Sequence, residues 1–525
     1  MKLFKSLLLG SAAGLVAVSG ASAADLGVKK PAPVEYVKVC SVHGAGFFYI
    51  PGSDVCIQFS GRVRAEYAFR QALVRGEDAS GFRANGRLNV DVRQTTEYGL
   101  LRAFIRFDHY ANSGTSTYAA PVAGAAGGGA AAVNPLLDKA FIQWYTGTAG
   151  FFTAGRTASF FDFYANTHQI EGNVGSDAPN VELFAYTFTF GGGFSATLAV
   201  ENAYARRSAA IGAGMAVGLP AGTYHPVGGL IATDLTGAAG NALAYGGQRM
   251  PDVVANLRVD QSWGSAQLSA AVHQMFLSNW AAPTVVTAIA PNGNVATAVV
   301  AGAPAVAGTP IQSYANTTYG WAVQGGVKIN LPMLAAGDNL FIQAAYGDGA
   351  VSYVMGGVLA GANNGRNMVA QTDGYVDVFG NVKKSQSWSV LAAFQHYFTP
   401  SLYGAIMAGY GQVEYSGLGA NRVVNVPAAT LAAAPALGVW QGARTGFNDW
   451  SALHVSGRIA WFPVRNFEIG LGVGWTRIDP NGSVLTTVVD PAGAQGGPGA
   501  AGGAVVKRVN HEDTFTVRLR FERNF

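Results

Sequence analysis

The sequence predicts an all-β fold: a sixteen-stranded antiparallel transmembrane β-barrel with short turns at one end and long loops at the other. Three observations carry this. Stretches of period-two alternation recur along the chain, with apolar residues on one parity and arginines, acids and amides on the other. The connections between these stretches alternate short and long. Charged residues make up only 12% of the 525-residue chain, against about 25% in ordinary soluble proteins.

The N-terminus addresses the chain for export. Lys2 and Lys5 precede an apolar run from Leu7 to Val18, and Ala21-Ser22-Ala23 fits the small-x-small cleavage pattern. Residues 1–23 read as a signal peptide, with the mature chain starting at Ala24. A membrane anchor is the alternative, but the run is too short to span about 30 Å as a helix. Net charge is +4, or +2 without Lys2 and Lys5, which argues against nucleic-acid binding. The charge-free region between Asp260 and Lys328 is broken by Pro291-Asn292-Gly293-Asn294, so it is no transmembrane helix. A non-helical chain crosses lipid only as a closed barrel, because every backbone N–H and C=O must be paired. The 2 cysteines, Cys40 and Cys56, fall in a segment, 24–56, that precedes the barrel region 57–525. In an oxidising compartment they read as a disulfide, with two unpaired buried thiols the alternative. Two cysteines offer no four-ligand metal site, and no cofactor is expected.

The first strand, 58–70, sets Ile57, Phe59, Val63, Tyr67 and Phe69 against Gln58, Ser60, Arg62, Arg64, Glu66 and Arg70. The second, 81–94, sets Leu88, Val90 and Val92 against Arg83, Asn85, Arg87, Asn89, Asp91 and Arg93. The third, 99–109, sets Leu101, Ala103, Ile105 and Phe107 against Arg102, Arg106 and Asp108. Faces this charged suit a water-filled lumen and not a dry core. Further strands are read at 136–145, 150–157, 181–190, 194–201, 252–263, 266–276, 319–329, 339–347, 385–398, 402–415, 450–462 and 467–478. The last, 513–525, carries Phe515, Val517, Leu519, Phe521 and Phe525 on one parity, interrupted by Arg523. Short links fall at Thr95–Tyr98, Thr146–Ala149, Gly191–Gly193, Gly264–Ser265, Asn330–Asp338, Thr399–Ser401 and Pro463–Asn466. Long ones fall at 71–80, 110–135, 158–180, 202–251, 277–318, 348–384, 416–449 and 479–512. A soluble sandwich has no reason to show this rhythm; a barrel with tight periplasmic turns and long extracellular loops does.

The segment Val34-Glu35-Tyr36-Val37-Lys38-Val39-Cys40, followed by Gly44-Ala45-Gly46-Phe47-Phe48-Tyr49-Ile50-Pro51-Gly52-Ser53-Asp54-Val55-Cys56, resembles the opening signature of the alphaproteobacterial, rhizobial-type outer-membrane porins. With the arginine-bearing first strands and the terminal Arg-Phe-x-x-x-Phe, the resemblance covers the whole mature chain. It implies a trimeric general porin through which small hydrophilic solutes and ions diffuse passively. Its setting would be the lipid and lipopolysaccharide of the outer membrane, reached through the barrel assembly machinery. It also implies a third extracellular loop, here Ala158–Asn180, folded into the lumen. The outward C-terminal aromatic, Phe525, resembles the signal that assembly machinery reads. A substrate-selective channel and a structural or adhesive surface barrel are the competing readings of function.

The candidate constriction follows from charge. Asp162, Glu171 and Asp177 lie in the third loop, and Arg62, Arg64, Arg83, Arg87, Arg93, Arg102 and Arg106 line the early strands. An acidic loop opposite a basic wall would set a transverse field across a narrow passage. The alternative is that these charges pair with one another and hold the loop. Catalysis is poorly supported. His109 beside Asp108, and His168 near Glu171, lack a nucleophile or a positioned water. Gly470-Leu-Gly472-Val-Gly474 lies in a strand, not at a strand-to-helix turn, so it is no phosphate loop. Trp144, Tyr145, Tyr397, Phe398, Trp461, Phe462 and Trp475 lie near strand ends and read as an aromatic girdle, Trp461 and Phe462 most of all. Strand 385–398 has apolar residues on both parities, which suggests a wall facing a neighbouring subunit.

Overall fold

A computed structural model describes residues 38–72, 78–114, 132–147, 150–163, 174–176, 179–207, 225–227, 230–232, 245–276, 317–362, 369, 372–376, 382–416, 422–424, 443–445, 449–482, 484–489 and 504–525. The expected signal peptide lies outside them. The main sheet has 18 strands, of which Phe48–Tyr49 and Gly374–Val376 are short accessory pieces, leaving sixteen in the wall. In chain order these are β1 (Cys56–Arg70), β2 (Ser80–Thr96), β3 (Gly99–Asn112), β4 (Ala132–Tyr145), β5 (Gly150–Ala158), β6 (Asn180–Gly191), β7 (Phe194–Glu201) and β8 (Asp252–Gln261). They continue as β9 (Gly264–Met275), β10 (Thr318–Asn330), β11 (Asn339–Asp348), β12 (Val382–Thr399), β13 (Leu402–Tyr415), β14 (Trp450–Val464), β15 (Phe467–Asp479) and β16 (Glu512–Asn524). Each strand pairs antiparallel with its sequence neighbours, and β16 pairs with β1, so the ring is closed. Every strand expected from alternation is present.

The faces are inverted relative to a soluble fold. On the outward parity Phe59, Val63, Phe82, Leu198, Leu257 and Ile406 are exposed, while inward Glu66, Asp91, Gln324, Gln343 and Ser387 are buried. That arrangement suits a wall with hydrocarbon outside and polar groups within.

The seam rests on a close approach. Phe525 exchanges two backbone hydrogen bonds with Gly61, at 2.9 and 3.0 Å. The Phe525 ring lies over Gly61 on the outward face: a Cβ at Gly61 would sit 2.7 Å from Phe525 Cζ and closer still to the Arg87 carbonyl. Only glycine fits there.

Two expectations are corrected. The turn between β8 and β9 is Ser262–Trp263, not Gly264–Ser265. Gly264 already pairs with Gln261 and Ile329, with φ +145°, and a Cβ there would collide with the Lys328 carbonyl. Glycine serves close backbone packing at that point, and the turn itself needs none. The mixed parity of residues 385–398 also has an internal cause. Inward-facing Leu391 and Ala393 pack with Phe341, Met407 and Phe163 in one buried cluster.

The N-terminal segment is fastened to the start of β1. Phe48–Tyr49 pairs with Cys56 and Ile57, and Cys40 and Cys56 form a disulfide whose sulfurs are buried with Phe47. Cross-links closing loops of this size stabilise by about 3 kcal/mol.

Gly61→Val is expected to destabilise the folded barrel by about 1–3 kcal/mol, the usual cost of overpacking. Guanidinium unfolding of the detergent-refolded protein measures this, and an unchanged midpoint would refute the role of Gly61 in the seam.

Candidate functional site

The inner wall divides into two arcs of different chemistry. One arc, from β16 through β4, is ionic. Glu66 sits at the seam among Arg64 (4.0 Å), Arg83 (3.7 Å), Arg518 (3.8 Å) and Arg520 (2.6 Å). Glu522 takes Arg64 at 2.5 Å and Arg62 at 3.9 Å. Further along, Arg87 binds both oxygens of Asp108, at 2.7 and 2.5 Å, and shares Asp138 with Arg106 at 3.7 and 3.5 Å. Asp91 accepts from Arg93 and Arg102, each with a contact of 2.9 Å. Arg62 stands directly across from Arg87, and Arg106 directly across from Lys139. Such like-charged pairs are unfavourable unless acids or ions intervene.

All seven arginines read from the sequence are therefore in one arc, and each is ion-paired. The count still favours the cations. Ten arginines (62, 64, 70, 83, 87, 93, 102, 106, 518 and 520) and Lys139 face six carboxylates (Glu66, Asp91, Asp108, Asp138, Glu512 and Glu522) among the described residues. Arg518, Arg520 and Glu522 were visible on the polar parity of the last strand. Their membership of the arc follows from closure, which sets β16 beside β1.

The second arc, β8–β13, carries short inward side chains such as Ser269, Ala271, Ala322, Ala345 and Ser387. The described part of the third loop lies on it. The Phe161 carbonyl accepts from Gln324 at 2.7 Å and Gln267 at 3.2 Å, and the Phe160 carbonyl accepts from Asn256 at 2.7 Å. Phe163 stacks on Phe341 with ring centroids 5.1 Å apart.

Asp162 does not face the arginines of β1–β3, as the sequence reading has it. It pairs with Arg206, both side chains almost fully buried, and Ser176 donates to it. Arg206 also donates to Ser176 at 2.9 Å and lies 4.4 Å over the Tyr353 ring. Burial alone would push the Arg206 pKa down; Asp162, foremost among its neighbours, reverses this and holds the guanidinium charged. Asp162 is thus a buried fastening of the loop. Arg206 was missed because nothing local to it signals burial; its partner is 44 residues away. Glu171 and Asp177 lie outside the described residues.

Other candidates separate. Asp108 is buried inward on Arg87 while the adjacent His109 is exposed on the opposite face, so the two form no acid–histidine pair. His168 lies outside the described residues. Gly470, Gly472 and Gly474 lie within β15, opposite Arg520, Arg518 and Thr516. Of the aromatics, Trp144, Phe398 and Trp461 are exposed on the outward face. Trp475 lies beside outward-facing Phe515. Tyr397 and Phe462 instead pack around buried Tyr403, and Tyr145 shares the inward parity of Gln143 and hydrogen-bonds it. Adjacent strand residues point to opposite faces, so Trp461 and Phe462 could not both belong to a girdle.

A closed ring with an apolar exterior and an ionic interior defines a β-barrel channel of the bacterial outer membrane. The sequence model described as "Porin subfamily" matches residues 25–501, and the chain belongs to that family. It is 33% identical over 359 residues to Porin Omp2b of Brucella suis, covering 66% of this chain and 84% of that one. To Porin Omp2b of Brucella melitensis biotype 1 it is 31% identical, with the same coverage. Its fold is similar to the outer membrane channel DcaP of Acinetobacter baumannii, with a TM-score of 0.51 and 12% identity over 91% of this chain and 99% of that one.

Asp162→Ala would leave the buried Arg206 charge unpaired and is expected to cost about 3–5 kcal/mol. Arg156→Ala breaks a pair whose Glu182 side chain is 54% exposed and is expected to cost under about 1 kcal/mol. Equal losses in guanidinium unfolding would contradict the fastening role of Asp162.

Proposed function

We propose that this porin is a passive, water-filled pore for small hydrophilic solutes and ions, and that its selectivity resides in the arginine arc. The observation that carries this is the excess of inward cations over carboxylates on β16–β4, facing the wall on which the third-loop segment rests. Arg62, Arg64, Arg83, Arg87, Arg93, Arg102 and Arg106 are the constriction lining on this reading. Partial neutralisation by Glu66, Asp91, Asp108, Asp138 and Glu522 holds the guanidinium groups in place, and the surplus raises local anion concentration. The third loop narrows the passage through its backbone and aromatics, with Asp162 fastening it. The protein acts without covalent chemistry, as a channel and not an enzyme.

Neutralising Arg62, Arg64 and Arg87 together is expected to move reversal potentials in planar bilayers toward cation preference. Unchanged potentials would sink the assignment. Liposome swelling tests the pore itself. Uptake of small sugars regardless of identity supports a general pore, uptake of a few indicates a substrate-selective channel, and none at all indicates a structural barrel.

We also propose that the protein is a homotrimer, which family membership supports, and that Phe525 is the residue recognised during barrel assembly. The outward placement of its ring supports the second point. Deleting Phe525 should reduce the heat-modifiable, membrane-inserted fraction on unheated gels more than it reduces conductance. Normal membrane yield would refute the assembly role. Migration of the parent protein only as a monomer in mild detergent would count against the trimer.

A further inference from the structure

The loop after β11 opens with a helix, α1 (Val351–Ala362), that no pattern in the sequence announces. We propose that α1 and the Ser159–Phe163 segment form one docked body that sets the free cross-section of the pore, and that Tyr353 and Asp373 latch the helix in place. The inference rests on the pore reading and extends the restriction beyond the third loop.

Three hydrogen bonds hold the helix start. The Val351 amide donates to Asp373 at 2.7 Å, the Tyr353 hydroxyl donates to Asp252 at 2.6 Å, and Ser389 donates to the Val354 carbonyl at 2.8 Å. Two of these acceptors are carboxylates engaged elsewhere as well. Asp252 contacts His273 Nδ1 at 2.8 Å, His273 Nε2 contacts the Tyr245 hydroxyl at 3.1 Å, and Tyr245 donates to Asp373. The chain of contacts closes on itself through two strands, the end of the fourth loop and the sixth loop.

Packing completes the seat. Val351, Tyr353, Val354 and Met355 are all at 0% exposure. Tyr353 meets Phe161 of the third loop edge to face, with centroids 4.8 Å apart. Gly347 and Gly411, on the inward parity of β11 and β13, receive Val354 and Met355; a Cβ at either would lie 2.9 Å from the side chain it receives. The helix bends at Met355, where φ is −130°. A helix with its side chains is about 10 Å across, so its position on the small-residue arc leaves the path beside the arginines.

The test uses the full-length barrel. Its 2 cysteines are consumed in the disulfide, so Met355→Cys introduces a single thiol. Labelling by a small membrane-impermeant maleimide, single-channel conductance and sugar cut-off are compared in that background with and without Tyr353→Phe plus Asp373→Asn. Each removed charge-assisted hydrogen bond shifts docking by roughly tenfold. The double substitution should therefore speed labelling at least roughly tenfold and raise both conductance and cut-off. Unchanged labelling overturns the latch, and faster labelling at unchanged conductance overturns the restriction. If the double variant does not fold, Gly347→Leu fills the seat of Val354, which the Met355→Cys background leaves intact, and must produce the same rise in labelling and the same change in cut-off, or the proposal fails. A parent protein that does not conduct would refute the pore reading itself, whereas a conducting parent with unresponsive variants refutes only the docked body.

Discussion

Everything in this molecule depends on one constraint: in hydrocarbon, no backbone N–H or C=O can be left unpaired. A sheet meets that demand only if its first and last strands find each other. Here β1 and β16 do so along nine residue pairs, from Arg62 with Asn524 to Arg70 with Thr516. The bonds between Gly61 and Phe525 extend the seam by one more position. Gly61 has no side chain because the ring of Phe525 and the Arg87 carbonyl already occupy that space.

Closure also completes the electrostatics. Within β1–β3, Arg87 pairs with Asp108, Arg93 and Arg102 with Asp91, and Arg83 with Glu66, while the ion pair of Arg62 comes from β16. Folding brings Glu522 beside Arg64 and Arg518 and Arg520 beside Glu66, so one carboxylate serves several guanidinium groups. Shared, charge-assisted bonds orient the arginines while leaving an excess of positive charge facing water. The opposite arc works by absence of bulk. Alanine, serine and glycine on its inward parity leave room for Phe163, Val354 and Met355, and its amides hold the carbonyls of Phe160 and Phe161. A charged arc and a sterically open arc therefore have different tasks on one wall.

Much of this was legible before folding. Alternation marked all sixteen strands, because an outward residue must tolerate lipid and its neighbour must tolerate water. Arg62, Arg64, Arg83, Arg87, Arg93, Arg102 and Arg106 were legible for the same reason. Asp162 was legible as an acid in the right loop but not in its role, since its partner Arg206 comes from another loop. The apolar inward residues Leu391 and Ala393 looked like a subunit contact because pattern alone cannot show that Phe163 lies upon them. Gly264 looked like a turn because glycine serves turns and close backbone approaches alike.

The sequence by itself determined the class of protein, the strand set, the parity of the first three strands and the last, and the order of short and long connections. All of these follow from local solvent preference repeated every second residue. Tertiary structure alone decided which charges share a carboxylate, which loop acid is buried, and that Val351–Ala362 forms a helix seated on Gly347 and Gly411. These depend on residues tens to hundreds of positions apart, and closure of the ring sets their distances.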